Sequence, residues 1–179
     1  MRDFSKIIED IKAELEKGNL DYELRSIKSA YEVAYTTSAE LIGQVGELLL
    51  KMDEKEKVRR TVGTLIQEYN DNCTKLGMSL QPAKYYSLDQ KVFVIDGHDF
   101  NDLAEFFNVI GEQLVENNQW GKNMNAFNDI LVGGFVKTEY GEAIKIIWKN
   151  SDVSKYKLVD FADIVELMKE HKHIDLQLL

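Results

Sequence analysis

Between residues 78 and 90 the hydrophobic pattern of this chain changes its period, and that change limits the folds open to it. Before this stretch apolar residues recur every three or four positions; after it, short β-branched runs alternate with helical stripes. The segment SLQPAKYYSLDQ, which holds the only proline, Pro82, follows neither period. It reads as a linker, 78–90, between an all-α segment, 1–77, and an α/β segment, 91–179. The Tyr85-Tyr86 pair within it is expected to pack against one of the two.

In the first segment, Phe4, Ile7, Ile8, Ile11 and Leu15 predict an amphipathic helix over residues 3–17, stopped at Gly18. From Asp21 to Met52 a longer seam runs through Leu24, Ile27, Tyr31, Ala34, Ser38, Leu41, Val45, Leu48 and Met52. Steps of three and four over that length predict one long helix in an antiparallel hairpin or coiled coil. Thr36 and Thr37 weaken it near its middle. A third helix then starts in DEKEKVRR and carries Val58, Val62, Leu65, Ile66, Tyr69 and Cys73 inward. The expected unit is a helical hairpin or three-helix assembly.

The second segment opens with Lys91-Val92-Phe93-Val94-Ile95-Asp96, a strand closed by Gly97. Asp99 or Asn101 is positioned to cap the helix that follows, whose inner face is Phe100, Leu103, Phe106, Phe107, Ile110 and Leu114. A loop and short helix occupy Asn117 to Gly134, and a second strand spans residues 143–148. Residues 152–157 read as a connection, Asp160 to Glu170 as a helix with Phe161, Ile164, Val165 and Met168 inward, and Ile174 to Leu179 as a third strand. Strand, helix, helix, strand, helix, strand predicts a three-stranded parallel sheet with crossover helices, an α/β fold.

Charge narrows the function classes. The chain has 31 acids and 22 bases, a net charge of −9; residues 1–90 contribute −3 and residues 91–179 contribute −6. An acidic surface disfavours direct nucleic-acid binding and favours a basic partner. Cys73 is the only cysteine, so no intrachain disulfide or paired-thiol metal site is possible, and its place on an apolar stripe makes it a small core residue. The N-terminus lacks the apolar core of a signal peptide, and the run from Leu41 to Leu50 is too short to span a bilayer. A cytoplasmic protein without membrane contact is expected.

No phosphate-loop, dinucleotide, nucleophile-elbow or zinc-protease pattern occurs. His98-Asp99 has the form of a metal-phosphohydrolase pair, but such sites need further His and Asp residues, and His171 and His173 lie at the far end of the chain. All three histidines are expected to be surface residues satisfied locally. The chain is therefore expected to be no enzyme and to use neither metal nor cofactor.

What remains unusual is NNQWGKNMNAFNDILVGG, residues 117–134. Asn123, Asn125 and Asn128 are poor interior helix formers, because their amides compete for local backbone bonds. On a helix, Asn125 and Asp129 share one face with Asn128 beside them, while Met124, Phe127, Ile130 and Leu131 line the opposite one. An exposed acid framed by amides and by Trp120 suits an Arg or Lys cluster on a partner. On a plainer reading Asn123 only caps the helix and Asp129 is an ordinary surface acid.

WGKNMNAFNDILVGG resembles the inhibitory loop and helix of the barstar family of ribonuclease inhibitors, and the resemblance extends over about residues 90–179, through the strand ending in Asp96-Gly97, the Ile147-Trp148 strand end and the terminal helix–strand pair. It implies a barstar-like domain that blocks the basic active site of a bacterial ribonuclease, as in an immunity or antitoxin system. By this resemblance Trp120, Gly121 and Asn123 stand at the family's aromatic, glycine and asparagine positions. Asp129 stands at its principal acid, a mimic of the substrate phosphate, and Glu166 at its partner-facing glutamate. Asn125 replaces the family's first acid, Asn128 an aromatic, and Gly134 a further aromatic with Phe135 adjacent. These departures imply a weaker complex or a nuclease with a rearranged site. The alternative is an interaction or assembly protein that docks through this domain and forms homo-oligomers through the N-terminal helices.

Overall fold

The computed structural model describes residues 2–32, 37–84, 86–133 and 136–179, and the chain divides into two compact units, residues 1–89 and 90–179. Ala34, Thr36, Tyr85, Gly134 and Phe135, which figure in the sequence reading, lie outside the described residues.

Among the described residues the first unit has four helices: α1 (Phe4–Lys17), α2 (Asp21–Glu32), α3 (Ser38–Met52) and α4 (Glu56–Lys75). Asp3 caps α1, its side chain accepting from the Ser5 N–H, and Gly18 closes it. The single long helix expected from Asp21 to Met52 is corrected here to two, α2 and α3. Thr37 has extended backbone (φ −142°, ψ 155°), and its hydroxyl accepts from the Glu40 N–H, so it starts a helix instead of weakening one. Of the stripe on either side, Leu24, Ile27, Val45, Leu48 and Met52 are buried inside the unit, Leu41 is half-buried, and Tyr31 and Ser38 are exposed. They do not form an exposed coiled-coil seam.

The α4 helix packs on α1 and α3 through Val58, Val62, Ile66 and Tyr69. Cys73 on the same stripe is fully buried, and burial pushes its thiol above the ordinary range. Residues beyond α4 fold back on this unit: Ala83 and Tyr86 are buried, the Ala83 N–H donates to the Glu47 carbonyl, and Tyr86 stacks on Tyr22 with centroids 5.4 Å apart.

The second unit is built on a three-stranded sheet, β1 (Lys91–Asp96), β2 (Ile144–Lys149) and β3 (Ile174–Leu178), in the order β1-β2-β3 with both pairs parallel. Parallel neighbours require crossovers, and helices supply them: α5 (Leu103–Leu114) and α6 (Met124–Val132) after β1, α7 (Ser151–Lys157) and α8 (Phe161–Glu170) after β2. Two local expectations are corrected. Asp102, not Asp99 or Asn101, caps α5 by accepting from the Glu105 N–H. The connection expected over residues 152–157 is a helix, α7, whose entry is made by Asn150 in left-handed backbone (φ 50°).

Trp148 anchors the core. It is fully buried, stacks on Phe106 with centroids 5.3 Å apart, and meets the edge of Phe161 at 5.2 Å. Its indole N–H donates to the buried Ser154 hydroxyl of α7 at 2.9 Å, so the one polar atom of this side chain is satisfied. Ile95, Ile144, Ile146 and Ile174 project from the strands into the same core, against Phe127, Ile130 and Leu131 of α6 and Ile164, Val165 and Met168 of α8. That packing fixes α6 and α8 as neighbours. Among the described residues no helix is long and apolar enough to cross a membrane.

Candidate interaction site on α6 and α8

The α6 helix is nine residues long and holds its outer face in position by what it buries and how it is capped. Phe127, Ile130 and Leu131 are buried. Asn123 is the N-cap: its Oδ1 accepts from the Ala126 N–H at 2.9 Å, and its Nδ2 donates to the Gly121 carbonyl at 3.1 Å. Both ends of the Asn123 amide are therefore used to shape the start of the helix. At the other end Gly133 has φ 86°, and a Cβ there would stand 2.3 Å from the Glu139 carbonyl oxygen, so only glycine fits this exit.

Two histidines hold the C-terminal half of α6. His171 Nε2 lies 3.0 Å from Asn128 Oδ1, and His173 Nε2 lies 2.9 Å from the Leu131 carbonyl oxygen; the two rings meet edge to face at 5.5 Å. His173 is only 6% exposed and His171 is half-buried, which corrects the expectation that both are surface residues. His98 is exposed, and its partner is Asp96 rather than Asp99: the Asp96 carboxylate accepts from the His98 N–H at 3.0 Å and lies 3.1 Å from its ring Nδ1. Among the described residues no group of three or more His, Cys, Asp or Glu side chains is placed to hold a metal ion.

The outer face of α6 and the adjoining face of α8 enclose an open groove of about 420 Å³, lined by Met124, Asn125, Asn128, Asp163, Glu166, Leu167 and Glu170. The structure thus brings Asn125, Asn128 and Glu166 to one place, with exposed Asp129 one helical turn along α6 from Asn125. Asp163 and Glu170 were not singled out in the sequence. Their signal is there: residues 163, 166 and 170 fall on one face of a helix whose other face is Ile164, Val165 and Met168. Among the described residues none of Asp129, Asp163, Glu166 and Glu170 belongs to an ion pair. Three unpaired carboxylates lining the groove, with Asp129 exposed on α6, make a negative potential that a cationic surface would relieve.

Trp120 and Gly121 stand apart from the groove, in the loop that leads into α6. Trp120 is half-buried, its ring meeting the edge of Phe107 on α5 at 5.4 Å, while Gly121 is exposed. Lys122, at φ 47°, donates from Nζ to Asn108 Oδ1 at 2.8 Å. The loop is tied to α5, and its aromatic is half-buried with the indole nitrogen enclosed.

With this geometry in place, comparison with known families finds that residues 90–176 match the model of the family Barstar, described as barstar (barnase inhibitor). The matched segment coincides with the α/β unit. The four-helix unit has no family match, and no curated protein matches the chain.

Proposed function

Residues 90–176 being a Barstar-family domain, we propose that this protein inhibits a basic ribonuclease by seating the α6–α8 face in the nuclease's phosphate-binding site. The observation that carries this reading is the groove of Asp163, Glu166 and Glu170 with Asn125 and Asn128, and the exposed Asp129 on the same helix one turn beyond Asn125. A ribonuclease site must hold the phosphates of its substrate with cationic side chains, and a fixed set of carboxylates competes for those cations. Asp129 takes the place of the substrate phosphate. Asp163, Glu166 and Glu170 extend the negative surface, which raises the rate of encounter with a positive partner. Asn125, at a position where the family carries an acid, supplies hydrogen bonds in place of charge, so the nuclease it fits presents a neutral polar group or a displaced cation opposite that amide.

The test is a titration of the full chain into a small guanyl-type ribonuclease at low and at high salt, following both binding and RNA cleavage. Inhibition that weakens with salt and is lost in Asp129→Ala supports the reading. Absence of binding at every salt concentration, or full inhibition by Asp129→Ala, overturns it.

A further inference from the structure

Helix α5 lies outside the face described above, yet it makes three contacts with the loop that carries Trp120. Phe107 supplies an aromatic edge to Trp120, Asn108 accepts from Lys122 Nζ, and Gly111 lies directly beneath Asn118 and Trp120. Gly111 is buried in the interior of α5, a position where glycine costs helix stability relative to alanine. A Cβ added there would stand 1.9 Å from Asn118 Oδ1 and 2.5 Å from Trp120 Nε1. Neither gap is one that real carbon atoms occupy. The residue that the helix disfavours is the one the loop requires.

The loop itself is held in an uncommon shape. Asn118 (φ 49°) and Lys122 (φ 47°) both lie in left-handed backbone on either side of Trp120-Gly121, a region costly for side chains with a Cβ. The amide oxygen of Asn118, an acceptor, and the indole N–H of Trp120, a donor, are buried and converge on the same point above Gly111. Neither atom has a hydrogen-bond partner among the described residues, and both occupy the space that a methyl group on residue 111 would take.

We infer that Gly111 is a positioning residue for the binding loop: with Phe107 one turn before it on α5, it forms the seat that holds Trp120 and the approach to α6 in the shape the partner meets. Any effect on inhibition rests on the function proposed above; the seat itself does not. Gly111→Ala pushes Asn118 and Trp120 outward while leaving the carboxylates of α6 and α8 in place.

The experiment uses the full chain with and without Gly111→Ala, each also in a Trp120→Phe background, so that difference spectra isolate Trp120 from the buried Trp148. The expected result is red-shifted Trp120 emission with greater acrylamide quenching in Gly111→Ala. Ribonuclease binding should weaken by about tenfold or more, the loss of a well-packed aromatic contact. Relief of any loss of folding when Gly111→Ala is combined with Trp120→Phe and Asn118→Gly also supports the seat. Unchanged Trp120 emission and quenching overturn it, as does a folding defect that persists undiminished in the combined variant. If the wild type binds no ribonuclease, the inhibitor reading fails and the fluorescence result alone decides the seat.

Discussion

His171 Nε2 lies 3.0 Å from Asn128 Oδ1, so the turn after α8 holds the middle of the outer face of α6. An amide oxygen can only accept, which makes the histidine the donor, and it donates from Nε2 whether the ring is neutral or protonated. Each of Asn128→Ala and His171→Ala should cost about 0.5–1.5 kcal/mol, the usual worth of a part-buried hydrogen bond. The double variant should lose little more than either single one. Urea denaturation of the four proteins checks this, and strict additivity contradicts it. Since the Asn128 oxygen is already engaged, Asn128→Ala should also weaken ribonuclease binding less than Asp129→Ala does.

Asp129 is exposed and without an ion pair among the described residues, so its replacement should leave folding within about 0.5 kcal/mol of wild type. Binding should respond very differently. Truncating one partner of a charge pair desolvated in an interface costs about 2–5 kcal/mol, most of it expressed as faster dissociation. Asp129→Asn, which keeps shape and removes charge, should lose nearly as much as Asp129→Ala. Glu166→Gln, at the groove wall, should instead slow association and reduce its salt dependence. Stopped-flow association measured across ionic strength separates the two; equal effects of Asp129→Asn and Glu166→Gln on dissociation would contradict these assignments.

The α/β half was largely legible because each strand is a short β-branched run and each helix has a clear apolar stripe. The three strands lie where those runs are, and the parallel order follows from the helices between them. What stayed hidden depended on atoms distant in sequence. Ser151–Lys157 has too few apolar residues for a stripe, and it is helical because Ser154 meets the Trp148 indole and Leu158 enters the core. The break between α2 and α3 turned on Thr37 serving as a cap, which periodicity does not register. In the candidate site, the motif stretch marked Trp120 through Asp129, but the acids of α8 acquire meaning only when that helix is set beside α6. Gly111 was invisible for the same reason, because its importance lies in Asn118 and Trp120 above it.

Asp96 ends β1 and organises the turn beside it. The His98 N–H, foremost, and the Asn150 side chain donate to its carboxylate and hold its pKa below the usual carboxylate range. A carboxyl held low in the folded chain favours folding at every pH above the unfolded-state value of about 3.9, and that contribution disappears as pH falls through the lower folded value. Asp96→Asn should therefore melt earlier than wild type near neutral pH, with the margin closing as the solution is acidified below the carboxylate range of about 3.9. Thermal melts between acid and neutral pH provide the test, and a margin that widens on acidification would contradict it.

Ser154 is fully buried and its hydroxyl accepts the Trp148 indole N–H at 2.9 Å, in the centre of the aromatic cluster that fixes β2 against the helices. Ser154→Ala removes little volume but leaves a buried donor without its acceptor, and the desolvation of that N–H is no longer offset. The expected cost is about 1–3 kcal/mol. Because the defect is local and the cluster of Phe106, Phe161 and Trp148 remains packed, the denaturant midpoint should fall while the dependence on denaturant stays the same. The Trp148 emission of the native state, read in the Trp120→Phe background, should stay blue, since the ring is still enclosed. Ribonuclease binding should be unchanged at temperatures where the variant is folded, because the helices that carry Asp129 and the α8 carboxylates are packed through Phe127, Ile130, Leu131, Ile164, Val165 and Met168. A red-shifted native emission, or a changed denaturant dependence, would mean that this hydrogen bond holds α7 in place rather than only satisfying the indole.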